Sequence, residues 1–157
     1  MSNATIGLRL AHLIETEAAL MRSFAALLGR EEALLIDGET DALVALAAEK
    51  TELYHQLQRH HEARARLLGQ ERLEHSDTSI RTLCQAMPDT LRRWDEILTL
   101  AREAQSRNDI NGRLITERMQ HNQAALSVLL SATRQPQLYD AGGLARPTGR
   151  GRHLGSA

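Results

Sequence analysis

Residues 89–132 read DTLRRWDEILTLAREAQSRNDINGRLITERMQHNQAALSVLLSA, and this stretch decides the fold. Within it Leu91, Trp94, Leu98, Ala101, Gln105, Asn108, Gly112, Ile115, Met119, Asn122, Leu126 and Leu129 follow one another at steps of three and four. Such steps trace a seam along an α-helix, whereas a strand would alternate. Unbroken, the seam spans about six heptads, or roughly 65 Å of helix. Its two ends are apolar, while its middle (Gln105, Asn108, Gly112) is polar or small. Polar seam residues lower stability but fix register and partner number, and glycine lets another helix approach closely. Gly112 costs about 1 kcal/mol relative to Ala in a helix interior, so a kink there is the alternative to a straight rod.

Upstream, Ile6, Leu10, Leu13, Leu20, Phe24, Leu27 and Leu34 place a first amphipathic helix over about 5–36. Asp37-Gly38 breaks it with a turn dipeptide whose glycine accepts the left-handed conformation, and Thr40 or Asp41 is the expected cap of the next helix. That second helix, about 41–73, carries Leu43, Leu46, Leu53, Leu57 and Leu67, with Lys50, His60 and Arg64 in the same seam. So short a connection makes the two helices an antiparallel hairpin roughly 45 Å long. Ser76 or Asp77 caps a short helix over 78–86, which must end before Pro88, and Asp89 caps the rod that follows. The expected fold is all-α: an elongated antiparallel hairpin plus a long C-terminal heptad helix, with residues 1–133 as one domain.

Composition agrees. The chain has 157 residues, 19 Lys+Arg against 20 Asp+Glu, and only 3% aromatic residues. Balanced charge without a stacking platform argues against nucleic acid, and scarce aromatics argue against a β-sandwich or barrel. No apolar run approaches the ~18 residues of a membrane span, and Arg9, His12, Glu15 and Glu17 interrupt what would be a signal sequence, so a soluble cytoplasmic protein is expected. Residues 134–157 hold Pro136, Pro147, half of the glycines, and four Arg against Asp140 alone, which reads as a flexible tail. Its Gly149-Arg150-Gly151-Arg152 is one short copy of an RNA-binding pattern, too little for more than weak attraction.

Catalytic chemistry finds no foothold. His55, His60 and His61 lack the i,i+4 spacing of a helical metal pair, and there is no HExxH. No His has the exposed, Lys- and Gly-flanked setting of a phosphotransfer bundle, although that remains an alternative class. Adjacent carboxylates such as Asp95 and Glu96 diverge by about 100° on a helix and cannot converge on one atom. Cys84, the only cysteine, reads as a buried structural thiol. No catalytic residue, metal site or cofactor is expected. The positive signal is an apolar stripe longer than a slender bundle buries, ending at Leu126, Val128, Leu129 and Leu130, which suits helix-in-groove recognition. The same stripe is equally satisfied within a homodimeric coiled-coil scaffold.

Three segments resemble the FlgN family of flagellar export chaperones. They are the hairpin (Glu32 to Leu35, Asp37-Gly38, Leu43, Leu46, Glu49-Lys50, Leu53), the run Asn108-Asp109-Ile110-Asn111-Gly112-Arg113-Leu114-Ile115, and Asn122-Gln123-Ala124-Ala125-Leu126. The resemblance covers roughly residues 8 to 140. It implies a cytoplasmic chaperone that binds the C-terminal helices of hook-associated proteins and brings them to the export gate and its ATPase complex. It also implies client binding through the last helix and tail. The candidate partner-binding residues are therefore Asn111, Leu114, Ile115, Asn122, Gln123, Leu126, Leu129, Leu130, Leu138 and Tyr139. Tyr139 sits where relatives carry a gate-docking Tyr, but Asp140-Ala141-Gly142-Gly143 lacks their proline.

Overall fold

The computed structural model describes residues 3–118, 123–134 and 138–139, with side chains except at positions 3 and 123–126. Among the described residues five helices follow in order: α1 (Asn3–Asp37), α2 (Thr40–Gln70), α3 (Asp77–Leu83), α4 (Pro88–Arg118) and α5 (Gln123–Thr133). The all-α expectation holds, with α1 and α2 forming the hairpin.

The turn between them is built as its dipeptide requires. Gly38 adopts φ +73°, and the Gly38 and Glu39 amides donate back to the Leu35 and Leu34 carbonyls at 3.3 and 3.0 Å. Two orphan carbonyls are thereby satisfied in a Schellman closure. The residue that leads into α2 is Glu39, whose side chain makes no capping bond, rather than Thr40 or Asp41. Ser76 does cap α3, accepting from the Ser79 amide at 3.2 Å. The fourth helix starts at Pro88, one residue before the expected Asp89. Proline suits that place, since the first-turn N–H it lacks would have been an orphan.

α1 is the central helix. It packs along both α2 and α4, so it is buried on two sides. This explains why Ile14, Ala18, Leu28 and Leu35, off the single stripe read from the sequence, are as deeply buried as Ile6 and Leu10. One core gathers Ile6, Leu10, Ile14, Met21, Leu57, Leu68, Ile80, Trp94 and Ile97 around the N-terminal half of α1. Cys84 lies within it, its thiol pushed up to about 11 by burial. A second, smaller core joins Leu35, Leu43, Ala47, Ile115, Leu129 and Ala132.

The last member of that list overturns the single rod over 89–132. In one helix Gly112 and Thr133 would stand roughly 31 Å apart. Instead a Cβ on Gly112 would lie 3.2 Å from Thr133 Cγ2, and Asn108 Nδ2 donates to the Thr133 carbonyl at 3.0 Å. α5 therefore folds back on α4 and also packs on α2. The physical reason is burial: the fold-back puts Leu129 and Ala132 against Leu35, Leu43 and Ala47, which a straight rod would leave in water. Gly112 serves close approach, as its place in the seam suggests, and α4 runs through it as helix. The connection at 119–122 lies outside the described residues.

Candidate functional site

Because α2 and α4 both lie along α1, a groove opens between them with α1 as its floor. Its volume is about 750 Å³. Met21 and Phe24 form the floor, Tyr54 and Leu57 one wall, and Ala101, Ala104 and Gln105 the other. Leu130, Thr133 and Arg134 stand at the α5 end, and Leu138 and Tyr139 at the opposite end.

A polar layer divides the two cores beneath the α5 end. Lys50, 1% exposed, reaches Asn108 Oδ1 at 2.6 Å and both oxygens of Glu31 at 3.2 Å. Asn111, wholly buried, donates to Glu31 Oε1 at 2.9 Å and to the Leu28 carbonyl at 3.1 Å. Burial draws the Lys50 ammonium below its ordinary pKa, and the Glu31 carboxylate opposes that shift. Asn108 both accepts from Lys50 and caps the last carbonyl of α5, so the layer sets the register of four helices. This is what seam polar residues do in coiled coils, here within one chain.

At the other end Glu17 and Arg64, both wholly buried, pair at 2.8 Å. Tyr139 donates its hydroxyl to the same Glu17 Oε1 at 2.7 Å. The Arg64 guanidinium lies 4.8 Å from the Trp94 ring centroid, and Trp94 Nε1 donates to Asp77 at 2.7 Å. Arg64 Nη1 meets His75 Nε2 at 3.3 Å. Arginine can only donate, so His75 accepts and is neutral with its proton on Nδ1. Burial, then Arg64 and His61, push His75 down to about 4. Burial and Arg64 lower His61 as well, against the opposing pull of Glu17 and Glu62. Burial, then the Glu17 charge, raises the Tyr139 phenol.

Both histidine values lie below the unfolded value near 6.5, so below that pH the unfolded chain binds protons the folded chain refuses. Stability is thus full above about pH 6.5 and falls as pH drops toward 4. We expect His75→Gln to flatten the decline of the urea midpoint between pH 6.5 and 4.5. Parallel curves for the two proteins would show that His75 does not govern it.

The expected partner-binding residues divide. Leu130, Leu138 and Tyr139 line the groove. Asn111, Ile115 and Leu129 are buried, the first in the polar layer and the other two in the second core, and Leu114 packs partly buried against that core. Asn122 and the side chains of Gln123 and Leu126 lie outside the described residues. Sequence reasoning missed Met21, Tyr54 and Ala104 as groove residues. Phe24, Leu57, Ala101 and Gln105 were on the predicted stripes but read as seam; the groove is where the stripes of α2 and α4 fail to meet over α1.

Among the described residues no helix is long and apolar enough to cross a membrane, and no group of three His, Cys, Asp or Glu is placed to hold a metal ion. Compared with known families, the chain matches the model of the FlgN protein family over residues 8–147. No curated protein and no solved structure matches it significantly. A family match across most of the chain, on an all-α hairpin fold with an open apolar groove, places this protein in the FlgN family, the flagellar export chaperones.

Proposed function

We propose that this chaperone receives the C-terminal helix of a hook-associated protein in the groove between α2 and α4, holds that subunit unassembled in the cytoplasm, and brings it to the flagellar export gate and its ATPase complex. The observation that carries this reading is the groove itself. An α-helix with side chains is about 10–12 Å wide and rises about 5.4 Å per turn, so 750 Å³ accommodates roughly one and a half turns. The floor and walls offer partly exposed apolar and aromatic side chains, Phe24 and Tyr54 among them. A client helix whose stripe packs in the filament would otherwise expose it before assembly, and covering the stripe blocks premature polymerisation. No bond is made or broken in this role.

The test is light scattering with the purified chain and a synthetic peptide of a hook-associated C-terminal helix. A stoichiometric complex is expected, and Phe24→Asp should abolish it while leaving helicity unchanged, because Phe24 is only partly buried on the groove floor. A chain that ignores the peptide and scatters as a stable dimer would instead be a homodimeric scaffold.

A further inference from the structure

Leu138 and Tyr139 close one end of the groove in which the guest would lie. Both line the groove and both pack partly buried against the first core. Their anchor is separate from that of α5. Thr133 meets Asn108 and Gly112 near the polar layer, whereas Tyr139 meets Glu17 and the His61 ring, the latter at 6.4 Å between centroids. From Lys50 to His61 on α2 is roughly 16 Å of helix, so the two anchors stand at opposite ends of the groove.

We propose that Leu138 and Tyr139 form a resident strap that competes with the guest helix for the groove. This rests on the groove reading above and adds its regulation. Leu138 sets an apolar side chain across the end of the groove, where a guest helix longer than about one and a half turns would have to pass. Tyr139 fastens the strap through a charge-assisted hydrogen bond to Glu17 Oε1, at 2.7 Å. The fastening is built to open, because Glu17 keeps its Arg64 partner at 2.8 Å when the strap leaves, and no buried charge is orphaned. The undocked chain presents that same carboxylate oxygen to the incoming helix. A guest carrying a hydroxyl or amide donor beside its apolar stripe satisfies it and closes the exchange. The observed affinity is then the intrinsic affinity reduced by the fraction of molecules whose strap is undocked.

The experiment uses the full chain, a Tyr139→Phe chain and a Leu138→Ser/Tyr139→Ala chain. Circular dichroism checks that each is folded. Two quantities are read: the Kd for a fluorescein-labelled peptide of a hook-associated C-terminal helix, and the rate of tryptic cleavage after Arg134, which is exposed. Tyr139→Phe removes the fastening and keeps the ring. It should tighten peptide binding about threefold, and the double variant about tenfold, since each raises the undocked fraction. Cleavage should accelerate in both variants, and in the unaltered chain when peptide is added. Faster cleavage with unchanged Kd overturns the competition and leaves the groove as the guest site. Weaker binding in both variants also overturns it, because the strap would then be part of the guest's own surface. Absence of peptide binding in all three chains removes the groove reading and this one with it.

Discussion

Glu17→Ala should lower unfolding stability by about 3–5 kcal/mol, the cost of leaving a buried charge without its partner. Glu17 and Arg64 are both wholly buried, and among the described residues Arg64 Nε already has no hydrogen-bond partner. Removing the carboxylate leaves a guanidinium in the core beside His75 and the Trp94 face, without the charge that balances it. Tyr139 loses its acceptor at the same time. The contrast is Arg30→Ala: that pair with Glu49 has both side chains at least half exposed and contributes at most about 1 kcal/mol. Replacing both partners, Glu17→Leu with Arg64→Met, should recover most of the Glu17→Ala loss, because apolar replacement of a buried pair is often neutral. Urea unfolding of the four chains decides the matter. A Glu17→Ala loss below about 1 kcal/mol would mean that water reaches the pair.

These magnitudes also mark how far the sequence could be read. The hairpin was legible because its signals are local: a three-and-four periodicity and an Asp-Gly turn that needs only its own backbone. The partition of α1 was not, because whether one or two faces are buried depends on how many neighbours a helix has. Glu17 illustrates this. Nothing in its own neighbourhood distinguishes it from the exposed Glu15; its burial follows from Arg64, distant in sequence, arriving on α2. The polar middle of the last seam was read as fixing register and partner number, with the partner left unnamed. For Asn108 the partners are this chain's own α2 and α5, which meet it through Lys50 and Thr133. The fold-back itself had no periodic signal, since Leu126 and Leu129 continue the seam of α4 in phase. A seam in phase is compatible with one long helix or with two that share a core, and only the burial available against Leu35 and Leu43 selects between them.

Leu129 is where these two arrangements differ most in consequence. At the tip of a rod, Leu129→Asp would spoil a guest-binding surface and leave folding alone. In the folded-back arrangement Leu129 is 1% exposed among Leu35, Leu43, Ala47 and Ile115. Deleting a buried Leu side chain costs about 2–5 kcal/mol, and an ionised carboxylate in its place adds desolvation. The expected result is that α5 undocks. Its 11 residues are too few to hold a helix alone in water, so their helicity is lost while the α1–α4 body, whose larger core does not include them, survives. Circular dichroism should show a partial fall rather than collapse, and hydrogen exchange should speed up in α5 and at the Asn108–Thr133 bond. Val128→Asp is the control on the same helix. Val128 is 47% exposed, and its substitution should move neither signal. Unchanged helicity in Leu129→Asp, with loss of guest binding alone, would return Leu129 to the surface and undo the fold-back. Loss in Leu129→Asp with none in Val128→Asp fixes which face of α5 the body holds, and with it which end of the groove this chain closes for itself.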